Sequence, residues 1–97
     1  MNDILALAIS TYGVDNQIDV AIEEMSELTK ALVKLHRFER SGAGDPKEIL
    51  SSIYEEMADV EIMLTQLEMI FECKTFVEDE KLAKVKRLKE RLSNESI

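Results

Sequence analysis

Apolar residues recur every three or four positions along most of this chain, the period of α-helices that turn one face to a core. Ile4, Leu5, Ala8 and Ile9 share one face of a first helix expected over about Asn2–Thr11. Gly13 is a natural stop for it. Asp15 or Asn16 can cap a second helix that runs to about Arg40. Ile18, Ala21, Ile22, Met25, Leu28, Leu32 and Leu35 make its apolar stripe. Lys34, Arg37 and Arg40 gather near its end, where cations suit the negative pole of the helix dipole. The clearest break is Ser41-Gly42-Ala43-Gly44-Asp45-Pro46. There Asp45 fits an N-cap, Pro46 the first helical position and Glu48 the third.

The third helix is expected to reach about Glu72. Its apolar residues, Ile49, Leu50, Ile53, Met57, Val60, Met63, Leu64, Leu67, Ile70 and Phe71, spread over more of the circumference than one stripe needs. The pattern therefore predicts packing on two sides, one within the chain and one against a second copy. Glu61 falls inside this apolar sector near Tyr54 and Met57, and if buried it needs a partner. A last helix is expected over Phe76 to about Ser93, with Val77, Leu82, Val85, Leu88 and Leu92 facing inward. Lys81, Lys84, Arg87 and Arg91 form a basic row beside them, and the tail Asn94–Ile97 should fray. No strand pattern, internal repeat or linker interrupts the series, so residues 1–97 read as one all-α domain.

Composition sharpens this picture. Three glycines and one proline in 97 residues leave few turns, as long helices require. A chain this short buries a modest core unless it associates. The net charge of −8 disfavours binding to a nucleic acid polymer, which calls for a basic footprint. It leaves a nucleotide open, because bound metal reverses the local sign. Cys73 is the lone cysteine, which excludes an intramolecular disulfide and fits a cytoplasmic location. The apolar start Met1–Ile9 is too short to cross a membrane and lacks the basic residues of a secretory signal.

Two acidic clusters carry the candidate chemistry: Glu23-Glu24-Met25-Ser26-Glu27 and Glu56-Met57-Ala58-Asp59. Glu24 and Glu27 are three apart, as are Glu56 and Asp59. Residues at that spacing are neighbours on one helix face, with Cβ atoms about 5–6 Å apart. Two carboxylates roughly 6 Å apart repel by about 3 kcal/mol at an effective dielectric near 20. A single such cluster is usually a solvated face. Here there are two, both mid-helix and both bordering an apolar stripe, and the second ends in aspartate, a poor helix former. Carboxylates on facing helices are a known way to place metals in a bundle core. A hard divalent cation turns the repulsion into binding, and an all-oxygen ligand set favours Mg²⁺, with Mn²⁺ as a substitute.

Taken together, Glu23-Glu24-x-x-Glu27, a gap of 28 residues from Leu28 to Glu55, and Glu56-x-x-Asp59 resemble the signature of the MazG-like all-α nucleoside triphosphate pyrophosphohydrolases. The wider phrases Ile22–Leu28 and Glu55–Val60 agree, and the resemblance spans about residues 2–92. It is nearest to the short single-domain members, including those of bacteriophages. The resemblance implies cleavage of a nucleoside triphosphate between the α- and β-phosphates, giving monophosphate and pyrophosphate. It implies Glu24, Glu27, Glu56 and Asp59 as Mg²⁺ ligands and Glu23 as an outer or occasional ligand. It also implies a homodimer or homotetramer whose long antiparallel helices complete a four-helix bundle. Within that scheme Glu24, and next Glu27, is the catalytic candidate for orienting the attacking water, and Lys84, Arg87 and Arg91 are candidates for the outer phosphates. A solvated face paired with Glu80 and Glu90 accounts for those cations equally well.

Neighbouring readings are a phosphoribosyl-ATP pyrophosphohydrolase and a dimeric dUTP- or dCTP-type hydrolase of the same superfamily. A reading of another class is a non-catalytic helical oligomerisation module, which keeps the stripes but has no need of four positioned acids. His36 and Cys73 fit structural roles, and the five methionines fit core filling. Tyr12, Asn16, Phe38 and Tyr54 are open as contacts to a base, with no spacing that favours one.

Overall fold

The computed structural model describes residues 1–95 as four helices, α1 (Asn2–Tyr12), α2 (Val14–Ser41), α3 (Pro46–Phe71) and α4 (Lys74–Glu95). No strand occurs among the described residues. The expected all-α class and four-helix order are therefore present, with shifts at the ends that have local causes.

A single residue, Gly13, separates α1 from α2. Its φ of 94° lies in the left-handed region, where glycine pays no Cβ penalty. Its N–H donates to Ile9 O at 2.9 Å and its carbonyl accepts from Gln17 N at 3.1 Å, so one helix closes and the next opens on the same residue. This overturns the expected caps. Asp15 lies in the first turn of α2, where its charge suits the positive pole, and Asn16 accepts a hydrogen bond from Gln17 Nε2 instead.

Gly42 ends α2 in the left-handed conformation, with its N–H donating to Phe38 O at 2.7 Å. Asp45 caps α3 as its position predicted, accepting from Lys47 N at 2.9 Å, and Pro46 follows at the first helical position. At the far end Glu72, with φ 51°, is the only non-glycine residue of positive φ among the described residues. The bond from Cys73 N to Glu68 O closes that turn at 3.1 Å, and α4 resumes at Lys74, two residues before its expected start.

The four-residue loop Gly42–Asp45 folds α3 back along α2, and this antiparallel hairpin is the body of the molecule. α1 packs against both members. The interior consists of Leu5, Ala21, Ala31, Ile53 and Met63, with Gln17 and Gln66 buried beside them. It is thin, and among the described residues no large side chain is fully buried. The radius of gyration is 17.4 Å, against about 13 Å for a compact domain of this size.

The excess comes from α4. It touches α3 alone, and none of its residues is buried. Val77, Leu82, Val85, Leu88 and Leu92 therefore do not face inward within the chain, because α4 leaves the hairpin after Glu72 rather than returning along it. α4 also continues through Asn94 and Glu95, where fraying was expected; Ser96 and Ile97 lie outside the described residues.

The breadth of the α3 stripe is resolved into two faces. Ile53 and Met63 are buried, with Val60, Leu67 and Ile70 half-buried beside them. Leu50, Tyr54, Met57, Leu64 and Phe71 form a second row at three-, four- and seven-residue steps and are exposed. Glu61 lies in that second row and is exposed, so it needs no buried partner. The α2 stripe divides likewise, with Ala21 buried and Ile22, Met25 and Leu32 exposed.

Ala21, at 1 % exposure, occupies a position with no room for a larger group. Ala21→Leu is expected to destabilise the fold by about 1–3 kcal/mol through overpacking. Ile53→Ala is expected to cost about 2 kcal/mol or more through the cavity it leaves. Urea midpoints at unchanged m-value would measure both.

Candidate metal centre

Antiparallel pairing brings acids of the two clusters together across the hairpin, although they stand at different distances from the turn. Glu24 precedes the end of α2 by 17 residues, while Glu56 and Asp59 follow the start of α3 by 10 and 13. Glu24, Glu56 and Asp59 each offer a carboxylate oxygen, and these three atoms all lie within 4.8 Å of one another. Glu24 and Glu56 are half-buried and Asp59 is exposed, so the cluster opens to solvent on the Asp59 side.

Two observations describe its electrostatics. Glu56 Oε2 is shielded from solvent and has no hydrogen-bond partner among the described residues. Glu24 has its pKa raised above the ordinary value of 4.5. Partial burial is the largest cause, followed by the charges of Asp59 and Glu56 and by hydrogen bonds with both. Two carboxyl groups hydrogen-bond only when one of them carries a proton, so these contacts favour the protonated form of Glu24.

The donor set fits a hard cation. Three oxygens converge from two helices, and Glu56, one of the three residues, also has a buried oxygen with no hydrogen-bond partner among the described residues. Opposite ligands of one octahedral Mg²⁺ with bonds of about 2.1 Å stand about 4.2 Å apart. Oxygens that lie within 4.8 Å of one another are on that scale.

Glu27 is not part of this convergence. Its Oε1 accepts from Lys30 Nζ at 3.3 Å, one turn further along α2. With side chains 69 % and 43 % exposed, this pair contributes little, and Glu27 is readily released from it. Glu23 is exposed on the outer side of α2. Lys84, Arg87 and Arg91 belong to α4, which contacts neither α2 nor α1. The single chain does not bring them to the acidic cluster. Tyr12, Tyr54 and His36 are exposed, and Phe38 and Cys73 are half-buried.

Periodicity read for apolar residues passed over two buried amides. Gln17 lies seven residues before Glu24, and Gln66 seven after Asp59, so each shares a helix face with an acid. Gln66 is 3 % exposed, and its Oε1 has no hydrogen-bond partner among the described residues. Their seven-residue offset from the acids was the available signal.

No protein-family model, no curated protein and no solved structure matches the chain.

The raised pKa of Glu24 has a definite consequence for stability. The folded protein holds this proton more tightly than the unfolded chain, so stability falls as pH rises from about 4.5 through the folded-state value. Above that window the repulsion is fully expressed. Metal-free Glu24→Gln is therefore expected to melt higher than wild type near neutral pH, with the difference vanishing on acidification. Added Mg²⁺ or Mn²⁺ is expected to raise the wild-type melting temperature and reverse the order. Circular-dichroism melts across pH, with and without metal, provide the measurement.

Proposed function

We propose that this chain is a metal-dependent nucleoside triphosphate pyrophosphohydrolase of the MazG-like kind. The observation that carries this reading is the convergence of Glu24, Glu56 and Asp59 from two helices onto one point. These are three of the four acids on which the sequence resembles that family. Their placement costs charge repulsion and leaves a buried carboxylate oxygen without a partner, an arrangement suited to holding Mg²⁺.

A bound divalent cation would supply charge neutralisation at the triphosphate and acidify water next to it. Glu56 and Asp59 hold the α3 side of the site, and Glu24 the α2 side. Glu27 joins once it leaves Lys30, for which the exposed ion pair offers little resistance. Glu24 is the catalytic carboxylate. Partial burial, and then the charges of its neighbours, raise its proton affinity, as a general base requires, and it takes the proton of water aligned on the α-phosphorus. A bond forms from the water oxygen to that phosphorus, and the bridging bond to the β-phosphate breaks. Pyrophosphate departs and nucleoside monophosphate remains. Glu27→Gln and Glu23→Gln separate a direct ligand from an outer one, the first expected to lose far more activity.

Glu24→Gln, Glu56→Gln and Asp59→Asn are each expected to lower turnover by at least about a hundredfold, the scale of losing a positioned acid–base or charge-stabilising group, with helix content unchanged. In ¹⁸O-labelled water the label is expected in the monophosphate. Label in pyrophosphate, or orthophosphate as the first product, would exclude attack at the α-phosphorus.

The uncovered apolar rows favour an assembly of copies as part of this reading. Leu50, Tyr54, Met57, Leu64 and Phe71 repeat with the spacing of a helix–helix seam, and α4 adds a second uncovered face. The same observation suits a non-catalytic oligomerisation module, which differs in showing no stabilisation by Mg²⁺. Leu64→Lys is expected to shift sedimentation from a dimer or tetramer toward monomer. An unchanged distribution would remove this row from the interface.

A further inference from the structure

The chain exposes 7748 Å² of surface, whereas a compact monomer of this mass exposes about 5,700 Å². The excess of about 2,000 Å² is more than twice the ~800 Å² that each partner buries in an interface of standard size. It has two sources. One is the open row of α3. The other is α4, none of whose residues is buried and whose Val85, Leu88 and Leu92 line a shallow apolar concavity.

Charge is divided between the same two helices. α3 carries six acids and one cation, Lys47. Residues 81–92 of α4 carry six cations and one acid, Glu90. Among the described residues none of these groups is in an ion pair; the pair that forms is Lys30–Glu27 on α2. Glu80 and Glu90 therefore do not neutralise the basic row of α4. Lys34, Arg37 and Arg40 line a separate pocket at the loop end of the hairpin, which includes no residue of α4.

The two faces also agree in spacing. On α3, Leu64 stands three residues after Glu61 and four before Glu68. On α4, taken from its C-terminal end, Leu88 stands three residues from Arg91 and four from Lys84. Steps of three and four keep each trio on one face of its helix. Laid antiparallel, the helices set Leu64 against Leu88, Glu61 against Arg91 and Glu68 against Lys84 in a single register. In that register Leu67 falls level with Val85, and Val60 with Leu92. Within one chain the faces do not meet, because α4 leaves α3 after Glu72. Pairing like with like is disfavoured, since an α3–α3 seam sets two acidic rows side by side and an α4–α4 seam two basic ones.

We propose that two copies of this chain exchange α4, each laying it antiparallel on the open row of the other's α3, with Glu61–Arg91 and Glu68–Lys84 pairs beside a Leu64–Leu88 contact. The exchange is reciprocal, so a two-fold axis closes it and covers both open faces of each copy. It builds on the assembly of copies inferred above and names its contacts; it does not depend on the enzymatic reading. It gives the basic row of α4 the partner that a single chain lacks.

The test compares two charge-reversed forms of the full chain by sedimentation velocity. Wild type at micromolar concentration is expected to sediment as a dimer or larger. Glu61→Lys with Glu68→Lys, and separately Lys84→Glu with Arg91→Glu, are each expected to weaken self-association by at least about a hundredfold, because both seams then oppose like charges. In an equimolar mixture of the two variants, one seam joins two unaltered faces and the other joins two reversed faces. The mixture is therefore expected to regain wild-type sedimentation with both chains in the complex. Glu61, Lys84 and Arg91 are exposed, and circular dichroism checks that helix content is kept. Glu61→Gln with Glu68→Gln conserves shape and is expected to weaken association by about tenfold, through lost charge alone. A monomeric wild type, a reversed variant that assembles as wild type does, or a mixture that stays monomeric would each overturn the exchange. Assembly left intact by both reversals would reject the exchange while keeping an association of copies through other surfaces. Nucleotide turnover is not a readout in any arm, so a chain without activity that shows the mixing pattern upholds the exchange and rejects the enzymatic reading alone.

Discussion

Four residues of loop, Gly42–Asp45, oblige α2 and α3 to run back along each other, and the chemistry of the molecule depends on that pairing. A helix advances about 1.5 Å per residue, so counting outward from a tight turn sets which residues stand level across the hairpin. Glu24 meets Glu56 and Asp59 across this pairing, through side chains that close the remaining offset along the axes. The same count sets Lys34, Arg37 and Arg40 against Glu48 and Ser52 nearer the loop. One or two residues added to the loop would rotate or slide one acidic cluster away from the other. The apolar contacts of Ile53, Met63, Ala21 and Ala31 hold the register, and the loop selects it.

Charge works against this register. Carboxylates within 4.8 Å, partly withdrawn from water, repel each other, and the raised pKa of Glu24 is the visible response. The small interior has to outweigh that repulsion, and domains of this size have little stability to spare. Such tension is expected where a binding site is built ahead of its ligand. A cation would relieve it by offsetting the carboxylate charges and giving the orphaned Glu56 oxygen a partner.

The uncovered surface obeys the same economy. A hairpin with one short helix across it has no further element to bury the second face of α3, and α4 departs rather than folding back. Large side chains such as Phe76 and Leu82 stand more than two-thirds exposed. Apolar rows of this length on a small chain are ordinarily surfaces for association, and a second copy covering them would add the bulk that the interior lacks.

Much of the architecture was legible in the sequence, because helix formation here is governed by local signals. The three- and four-residue periodicity marked the helices. Gly42, Asp45 and Pro46 marked the hairpin loop, through left-handed freedom, a side-chain acceptor and a fixed φ. The acids at three-residue spacing were visible for the same reason, since the spacing is a property of one helix. Tertiary structure decided what depends on relations between helices. It brought Glu24, Glu56 and Asp59 together and left Glu27 with Lys30. It divided the broad stripe of α3 into a packed row and an open row that carries Glu61, and turned α4 away from the hairpin. It also made a pocket of Lys34, Arg37 and Arg40, which in the sequence read as the end of a helix. Periodicity specifies the angle of a residue about its own axis; which neighbour occupies that angle is set by loop length and by how much apolar surface the other helices have to offer.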